Sequence, residues 1–328
     1  MSLGNFVVVM NKLIINKKHN EDNRMQKLIR KNIAGIWSAI PTPFTEDLDL
    51  DTEAVSHLVE HHVRIGIKGL FLASPNGEGH LMSDSMKMEL ATEVVKINQN
   101  RMLLSMLVVD NPAKLMIDNI KRIKDIGIDI AVIGFPFTPI KIEPEFLREL
   151  YLIVLEKSPL PIALCHFNRV SSASLLGEIL LHQKVILVKD FSNDPAKTAM
   201  ILNSVKGRKN ELFSLGGNEA SCMPSVGRDY DGFLLNCACF TGFIANAIFE
   251  FAQADRIKDA REVQDYMNSI LVEIFGLHLD DYLVGQKQMM VELGILNTAK
   301  TLQDYQISDE CLRAIKKIAK EEKEFLLP

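Results

Sequence analysis

Short apolar segments alternate with helical segments over most of this chain, from Gly35 to about residue 250. The segments between the apolar runs have the 3.6-residue periodicity of amphipathic helices. Strands that are apolar on both faces and alternate with helices indicate a parallel sheet. Eight such units predict a closed (β/α)8 TIM barrel. The eight runs span residues 35–40, 69–74, 102–109, 128–135, 161–167, 185–191, 212–217 and 232–238.

Several helical segments begin or end at residues that favour those positions. Asp51 and Ser83 are N-cap residue types, Pro112 lies in a predicted first turn, and Gly127 follows a last turn. His61 and His62 lie on the first of these helices, away from the strand ends, so we interpret them as structural.

Beyond the eighth run the chain is purely helical and amphipathic, which predicts a C-terminal helical extension packed on the barrel or on a neighbouring subunit. We therefore expect an N-terminal extension at residues 1–31, a barrel at 32–250 and a helical layer at 251–328. A doubly wound open sheet is the alternative fold. No Gly-x-Gly-x-x-Gly motif follows the first strand, which disfavours that fold and a bound dinucleotide.

The composition favours small-molecule partners. The 328 residues carry a net charge of -5 with both signs spread along the chain, so there is no basic field for nucleic acid or a membrane surface. No apolar run approaches the roughly 20 residues of a membrane helix, and the N-terminus lacks the pattern of a secretory signal. Five scattered cysteines indicate reduced thiols and a cytoplasmic location.

One lysine, Lys189, interrupts the apolar run at 185–191. A buried ammonium is costly, so this side chain must be paired, must reach water or must lose its proton. A desolvated, neutral amine can attack a ketone. The alternative is a surface lysine whose stem lies along apolar neighbours. In a barrel, an inward position near the strand end would aim the amine at the open mouth.

Polar residues follow several other predicted strands, where barrel enzymes carry their catalytic groups. We expect them to form one constellation with Lys189. They lie in residues 74–80, 135–138, 165–169, 216–219 and 236–242.

These motifs resemble the dihydrodipicolinate synthase and N-acetylneuraminate lyase family of pyruvate-dependent, class I Schiff-base aldolases and lyases, and the chain looks like a divergent member. The family lysine falls on Lys189. The resemblance is carried by “GIWSAIPTPFTEDLDLD”, “GIKGLFLASPNGEG”, “VIGFPF”, “VILVKD”, “SLGGNEA” and “QKQMMVELGI”.

The resemblance implies that Lys189 condenses with pyruvate or a related 2-oxo acid and that the iminium acts as the electron sink, so no separate cofactor is expected. It also implies a homotetramer, and we expect a homo-oligomer, either a tetramer or a dimer. The loop after the second strand would bind the substrate carboxylate through backbone N–H groups. The implied substrate-binding residues are Ser74, Asn76, Gly77, Glu78, Phe137, Arg169, Gly217 and Asn218.

The chain departs from the family at the residues that relay protons. The paired hydroxyl residues of the loop fall on Pro75 and Asn76, and the tyrosine of strand five falls on Cys165. Phe137 stands near the position of a second tyrosine. Cys165 or His166 could serve as the catalytic acid or base, because a thiol near a cation and an imidazole both titrate near neutrality. Cys165 could instead fill the space of the lost ring.

We therefore expect a lyase or aldolase that acts on a sugar-acid-type substrate, rather than dihydrodipicolinate synthesis. A non-catalytic protein that binds 2-oxo acids or sugar acids is the first alternative. A metal-dependent barrel aldolase is the second, but the strand ends lack a His, Asp and Glu cluster at ligand spacing, so no metal site is expected.

Overall fold

The strands of the computed structural model form a closed parallel barrel in sequence order, in which β1 pairs with both β2 and β8. The structure describes residues 30–109, 112–134, 143–165, 173–191, 194–222, 230–277 and 281–327. The predicted (β/α)8 TIM barrel is confirmed. Its strands are β1 (Gly35–Ala39), β2 (Gly69–Leu72), β3 (Leu103–Val108), β4 (Ile130–Ile133), β5 (Ile162–Leu164), β6 (Val185–Asp190), β7 (Phe213–Gly216) and β8 (Gly232–Leu235).

Helices surround the barrel, and further helices follow β8. Those of the barrel are α1 (Arg30–Ile33), α2 (Thr52–Arg64), α3 (Asp84–Asn98), α4 (Ala113–Ile126), α5 (Pro144–Lys157), α6 (Ala173–Leu181) and α7 (Pro195–Gly207). Those that follow are α8 (Ala238–Gln253), α9 (Ile257–Phe275), α10 (Tyr282–Glu292), α11 (Asp309–Glu321) and α12 (Lys323–Leu326).

The predicted helix boundaries correspond to observed caps. Asp51 Oδ1 accepts a hydrogen bond of 2.9 Å from the Ala54 N–H, and Ser83 Oγ accepts one of 3.2 Å from the Met86 N–H. Gly127 ends α4 with a φ of 120°, and its N–H donates to the carbonyl of Ile123 at 3.1 Å. Each cap satisfies a backbone group that the helix itself leaves unpaired.

Apolar side chains form two layers, one inside the barrel and one between the strands and the helices. Because successive strand residues point to opposite faces, neighbouring residues divide between the two layers. Trp37 lies in the lumen, and its Nε1–H donates to the Ile33 carbonyl at 2.8 Å, so α1 closes the end of the barrel where the strands begin. The lumen layer also contains Ala39, Phe71, Leu103, Ile130, Val132, Ala163, Cys165, Leu187, Phe213, Leu215 and Leu234.

His61 and His62 are buried in the outer layer, as their interpretation as structural residues requires. His62 Nδ1–H donates to the Leu58 carbonyl at 2.7 Å, and Nε2 accepts from Ser38 Oγ at 2.9 Å. His61 Nε2 bonds the Cys239 carbonyl at 2.8 Å. Burial lowers the pKa of His61 to about 4 and that of His62 to about 3, since desolvation disfavours the imidazolium.

The C-terminal helices pack on the barrel. Helix α8 contacts β1 and α9, and α10 contacts α8 and α11. Strand β8 ends at Leu235 and α8 begins at Ala238, so Cys237 and Cys239 lie at a helix start rather than in a strand. Burial raises the pKa of both thiols. Within the described ranges, no helix has the length and apolar composition needed to span a bilayer.

Candidate active site

Lys189 lies near the carboxyl end of β6, and its side chain is buried, with a relative exposure of 5%. Leu187 belongs to the lumen layer and Val188 to the outer layer, so strand alternation directs Lys189 into the lumen. The surface alternative for this lysine is therefore excluded. Apolar lumen residues, including Leu187 and Leu215, form the floor beneath it.

The end of the Lys189 side chain passes close to Gly217. A Cβ atom on Gly217 would lie 2.8 Å from Lys189 Cε, so a residue without a side chain is required there if the lysine is to keep its position. Lys189 Nζ is 5.5 Å from the centroid of the Phe191 ring. Among the described residues, no carboxylate forms an ion pair with Lys189.

Asp190, the next residue, is buried and directed to the opposite face of β6. Its Oδ2 accepts hydrogen bonds of 2.6 Å from Thr198 Oγ1 and from Tyr230 Oη. These bonds attach the strand that carries Lys189 to α7 and to the segment before β8.

Cys165 follows β5 and is also buried in the lumen layer. Leu164 pairs with Val188 in the β5–β6 register, which puts Cys165 at the level of Lys189 on the neighbouring strand. The structure therefore brings together two of the residues predicted for catalysis. The other one, His166, lies outside the described residues, as do Phe137 and Arg169, which were predicted to bind substrate.

The loop after β2 forms a tight turn, Pro75–Gly77, whose first residue is capped by Ser74. Ser74 Oγ accepts from the Gly77 N–H at 3.2 Å. The N–H groups of Gly77, Glu78 and Gly79 donate to the Ser74, Pro75 and Ser74 carbonyls at 3.0, 3.1 and 3.0 Å. Gly77 therefore does not offer its N–H to a ligand as the resemblance implies, because the turn itself uses that group.

Two donors of this loop have no acceptor among the described residues. They are the Asn76 N–H and the hydroxyl hydrogen of Ser74. Both belong to buried residues at the end of a barrel strand. Donors of this kind can bind a carboxylate.

The side-chain amide of Asn76 is fully engaged within the protein. Its Nδ2 donates to the carbonyls of Ala39 at 2.5 Å and Asn236 at 3.1 Å, and to Gln286 Oε1 at 3.2 Å. Gln286 Nε2 donates back to Asn76 Oδ1 at 2.8 Å. A substrate could reach this amide only by breaking buried hydrogen bonds. The Asn76 side chain therefore has a structural role and does not contact substrate.

Glu78 is likewise bound inside the protein. Its Oε1 lies 2.6 Å from Lys287 Nζ, and its Oε2 accepts from the Leu302 N–H at 2.7 Å. Lys287 Nζ also donates to the Lys300 carbonyl at 2.7 Å and lies 4.3 Å from the centroid of the Phe44 ring. Burial lowers the pKa of Lys287 to about 8, and the Glu78 carboxylate opposes that change.

The loop after β7 contains one exposed and one buried polar residue. Asn218 is exposed, and its Oδ1 accepts from the Ala220 N–H at 3.0 Å. Glu219 is 5% exposed, and its Oε1 accepts from the N–H groups of Asn236 and Cys237 just before α8. The sequence puts both residues in the predicted constellation and proposes only Asn218 for substrate binding. It gives no sign of the role of Glu219, since nothing local marks the distant backbone amides that Glu219 bonds.

Metal ligands are not clustered in the part of the chain that the structure describes. There, no three His, Cys, Asp or Glu side chains lie close enough together to hold a metal ion.

Comparison with known proteins relates the chain to one family. A sequence model of the dihydrodipicolinate synthetase family matches residues 32–321. The chain is 24% identical over 273 residues to an N-acetylneuraminate lyase of Rhizobium meliloti (strain 1021), a match that covers 82% of this chain and 84% of the relative. It is 22% identical over 247 residues to a 4-hydroxy-tetrahydrodipicolinate synthase of Exiguobacterium sp. (strain ATCC BAA-1283 / AT1b), covering 74% and 83% of the two chains.

Solved structures show the same fold. An N-acetylneuraminate lyase from Fusobacterium nucleatum matches with a TM-score of 0.78 at 18% identity, covering 90% of this chain and 99% of that one. A dihydrodipicolinate synthase from Aquifex aeolicus matches with a TM-score of 0.78 at 19% identity, covering 90% and 99%.

Proposed function

Because the chain belongs to the dihydrodipicolinate synthetase family of lyases, we propose that it forms a Schiff base between Lys189 and a 2-oxo acid. The observation that carries this proposal is the buried Lys189 side chain in the lumen, packed close to Gly217 and without a carboxylate partner among the described residues. A buried amine near the open end of a barrel is suited to attack a carbonyl carbon.

The chemistry needs no further electron sink. In its neutral form the Lys189 amine adds to the C2 carbonyl of the 2-oxo acid, the resulting carbinolamine takes up one proton and loses water, and a protonated iminium remains. When the C3–C4 bond of a 4-hydroxy substrate breaks, its electron pair moves into the iminium and gives an enamine, while the C4 hydroxyl gives up its proton and C4 leaves as the carbonyl carbon of an aldehyde. Protonation at C3 restores the iminium, and hydrolysis then releases the 2-oxo acid and regenerates the amine.

We place the carboxylate of the 2-oxo acid at the loop after β2. The Asn76 N–H and the Ser74 hydroxyl support this position, because they have no acceptor among the described residues. Hydrogen bonds from neutral donors to a carboxylate are stronger than bonds between two neutral groups. In this proposal the Asn76 amide and the Glu78 carboxylate hold the loop and do not contact substrate.

A sugar-acid-type substrate is favoured by the small residues near the amine. Cys165 stands at the level of Lys189, where the family resemblance implies a tyrosine, and Gly134 and Gly217 follow the lumen residues of β4 and β7. A cysteine at this level has less bulk than a tyrosine, and this difference supports a substrate larger than pyruvate. The similarity to N-acetylneuraminate lyases supports the same substrate class.

A second candidate function is binding of a 2-oxo acid or sugar acid without turnover. The specific observation in its favour is that Asn76 and Glu78, the polar side chains of the substrate loop, are bonded within the protein. Cys165 would then fill space in the lumen and transfer no proton.

Borohydride trapping tests the proposed function. The protein is incubated with pyruvate or with a panel of sugar-derived 2-oxo acids, reduced, and mapped by peptide mass spectrometry. We expect the added mass on Lys189, its loss in Lys189→Met, and its retention in Lys184→Met, a matched change at the residue just before the same strand. A wild-type protein without any adduct on Lys189 contradicts the proposal. An adduct without turnover of any panel member supports the binding protein.

We also propose a homo-oligomer in the cytoplasm. The exposed apolar side chains Val272 and Leu277 of the C-terminal layer support self-association, with relative exposures of 43% and 82%. Five buried thiols support a reducing compartment. Analytical ultracentrifugation tests the oligomer, and a single species with the mass of the monomer contradicts it.

A further inference from the structure

Two consecutive residues of α10 hold two alternate residues of the loop after β2. Gln286 exchanges two hydrogen bonds with Asn76, of 2.8 and 3.2 Å, and Lys287 forms an ion pair of 2.6 Å with Glu78. The four side chains have relative exposures between 0% and 4%. A helix of the C-terminal layer is therefore joined to a loop of the barrel mouth through buried polar bonds.

Buried bonds of this kind are costly to break. When one partner is removed, the other loses its hydrogen bond and gains no water in exchange. Asn76 and Gln286 form a reciprocal amide pair in which each side chain donates once and accepts once, so the planes of both amides are fixed relative to each other. This constraint is stronger than that of a single hydrogen bond.

The Asn76 side chain also joins the neighbouring strand ends. Its Nδ2 donates to the carbonyl of Ala39, the last residue of β1, and to the Asn236 carbonyl after β8, while the N–H of Asn236 donates to Glu219. Cys239 Sγ lies 3.6 Å from Gln286 Oε1, as the donor in a weak hydrogen bond. Gln286 thus fixes an amide that connects the ends of three strands at the mouth of the barrel.

We propose that Gln286 is a positioning residue for the 2-oxo acid site, which it serves by holding Asn76 so that the Asn76 N–H and the Ser74 hydroxyl meet the substrate carboxylate. This inference rests on the proposed function. Gln286 does not contact substrate, and its effect passes through the bonded side chain of Asn76. Lys287 has a different role, because its bonds to Glu78 and to the Lys300 carbonyl secure the following residues of the loop.

The test replaces Gln286 and a matched residue of the same helix. Gln286→Met removes the amide and keeps the length of the side chain, whereas Gln286→Glu keeps an acceptor for Asn76 Nδ2 and removes the donor to Asn76 Oδ1. Gln288→Met and Gln288→Glu are the matched controls, since Gln288 bonds only Glu292 among the described residues, on the exposed side of α10. The readout is the pyruvate concentration that gives half of the maximal borohydride adduct on Lys189.

We expect Gln286→Met to raise this concentration about tenfold, which corresponds to the loss of roughly one hydrogen bond, with the same maximal amount of adduct. Gln286→Glu should give an increase at least as large, because it buries a carboxylate that faces Asn76 Oδ1, and the Gln288 variants should match wild type. If Gln286→Met lowers the melting temperature but leaves the half-saturating concentration unchanged, Gln286 is only structural and the inference is overturned. If Gln286→Met does not fold, Gln286→Asn, which withdraws the amide from Asn76 and introduces no charge, decides by the same criterion.

Hydrogen exchange separates this inference from the proposed function. Faster amide exchange in residues 74–79 of Gln286→Met, but not of Gln288→Met, supports positioning of the loop by Gln286 without any substrate. A wild-type protein that forms no adduct, together with such a change in exchange, contradicts the Schiff-base proposal and leaves the loop contact standing. Unchanged exchange in both variants contradicts the positioning role itself.

Discussion

Lys189 and Gly217 are in steric contact across the β6–β7 pair: the Lys189 Cε atom lies 2.8 Å from the position of a Cβ on Gly217. The nearest atom belongs to the far end of a flexible side chain, and Gly217 has no positive φ. Phe191 Cδ2 and the Asp190 carbonyl oxygen lie farther from the Cβ position, at 3.0 and 3.2 Å, so a methyl group there would press mainly on the lysine. The two residues are 28 positions apart in the chain, and the parallel register brings them together.

Gly217→Ala should slow adduct formation strongly and change the stability of the fold only slightly. We expect the rate of borohydride-trapped adduct formation on Lys189 to fall about tenfold or more, because small displacements of reacting groups are costly. The free energy of unfolding should change by no more than about 1 kcal/mol, since the lysine can move aside. Gly207→Ala is the matched control, because a Cβ there meets nothing within 4 Å. Equal trapping rates in wild type and Gly217→Ala contradict the assignment of Gly217 to the site.

Lys287→Met should destabilise the fold strongly. The Glu78 carboxylate would remain buried without its cation, and breaking a buried ion pair in this way costs about 3–5 kcal/mol. Urea denaturation measures the change in the free energy of unfolding. The double variant Glu78→Gln, Lys287→Met removes both charges. It should recover part of the free energy of unfolding that Lys287→Met loses.

Lys317→Met is the control for the buried pair. Lys317 lies 2.7 Å from Glu273 on the exposed surface, and solvent screens that interaction, so little change is expected. If Lys287→Met and Lys317→Met lower the free energy of unfolding by the same amount, the Glu78–Lys287 ion pair does not secure the loop after β2.

Stability should fall as the pH falls below about 6.5. The folded-state pKa values of His61 and His62 are about 4 and about 3, below the ordinary value of 6.5. Between these values and 6.5 the unfolded chain binds protons that the folded chain does not, so each histidine contributes stability above pH 6.5 that is lost on acidification. The expected slope approaches about 1.4 kcal/mol per pH unit for each proton.

Replacement of one histidine tests the source of this slope. His62→Gln should make the free energy of unfolding less dependent on pH between 6.5 and 4.5, whereas His57→Gln, on the exposed face of the same helix, should leave that dependence as in wild type. Unfolding by urea at a series of pH values measures both. An unchanged slope in His62→Gln would show that other groups cause it.

Cys165→Phe should narrow the range of substrates. A ring at the level of Lys189 would occupy the space beside the amine, so the half-saturating concentration of a sugar-derived 2-oxo acid should rise more than that of pyruvate. Cys165→Ala removes the thiol and keeps a small side chain. The ratio of the half-saturating concentrations of the two substrates should therefore be the same in Cys165→Ala as in wild type. If Cys165→Phe raises the half-saturating concentrations of both substrates by the same factor, the small side chain of Cys165 does not select for the larger substrate.

The sequence alone determined the architecture and the place of the lysine. The alternation of apolar runs and amphipathic segments predicted the barrel, and Asp51 and Ser83 predicted helix starts that the structure contains. These signals are local, because they arise from the period of a strand or a helix and from bonds within one turn. Alternation within β6 likewise puts Lys189 on the face of Leu187.

Only the tertiary structure decided what the polar residues of the mouth contact. Asn76 and Glu78 follow a strand end as substrate-binding residues would, yet their partners Gln286 and Lys287 lie 210 and 209 positions away. No local pattern reports such a pairing, because it depends on how α10 packs against the barrel. The role of Glu219 was missed for the same reason: the backbone amides that it bonds lie 17 and 18 positions away and come within reach only when β7 and β8 pair in the closed barrel.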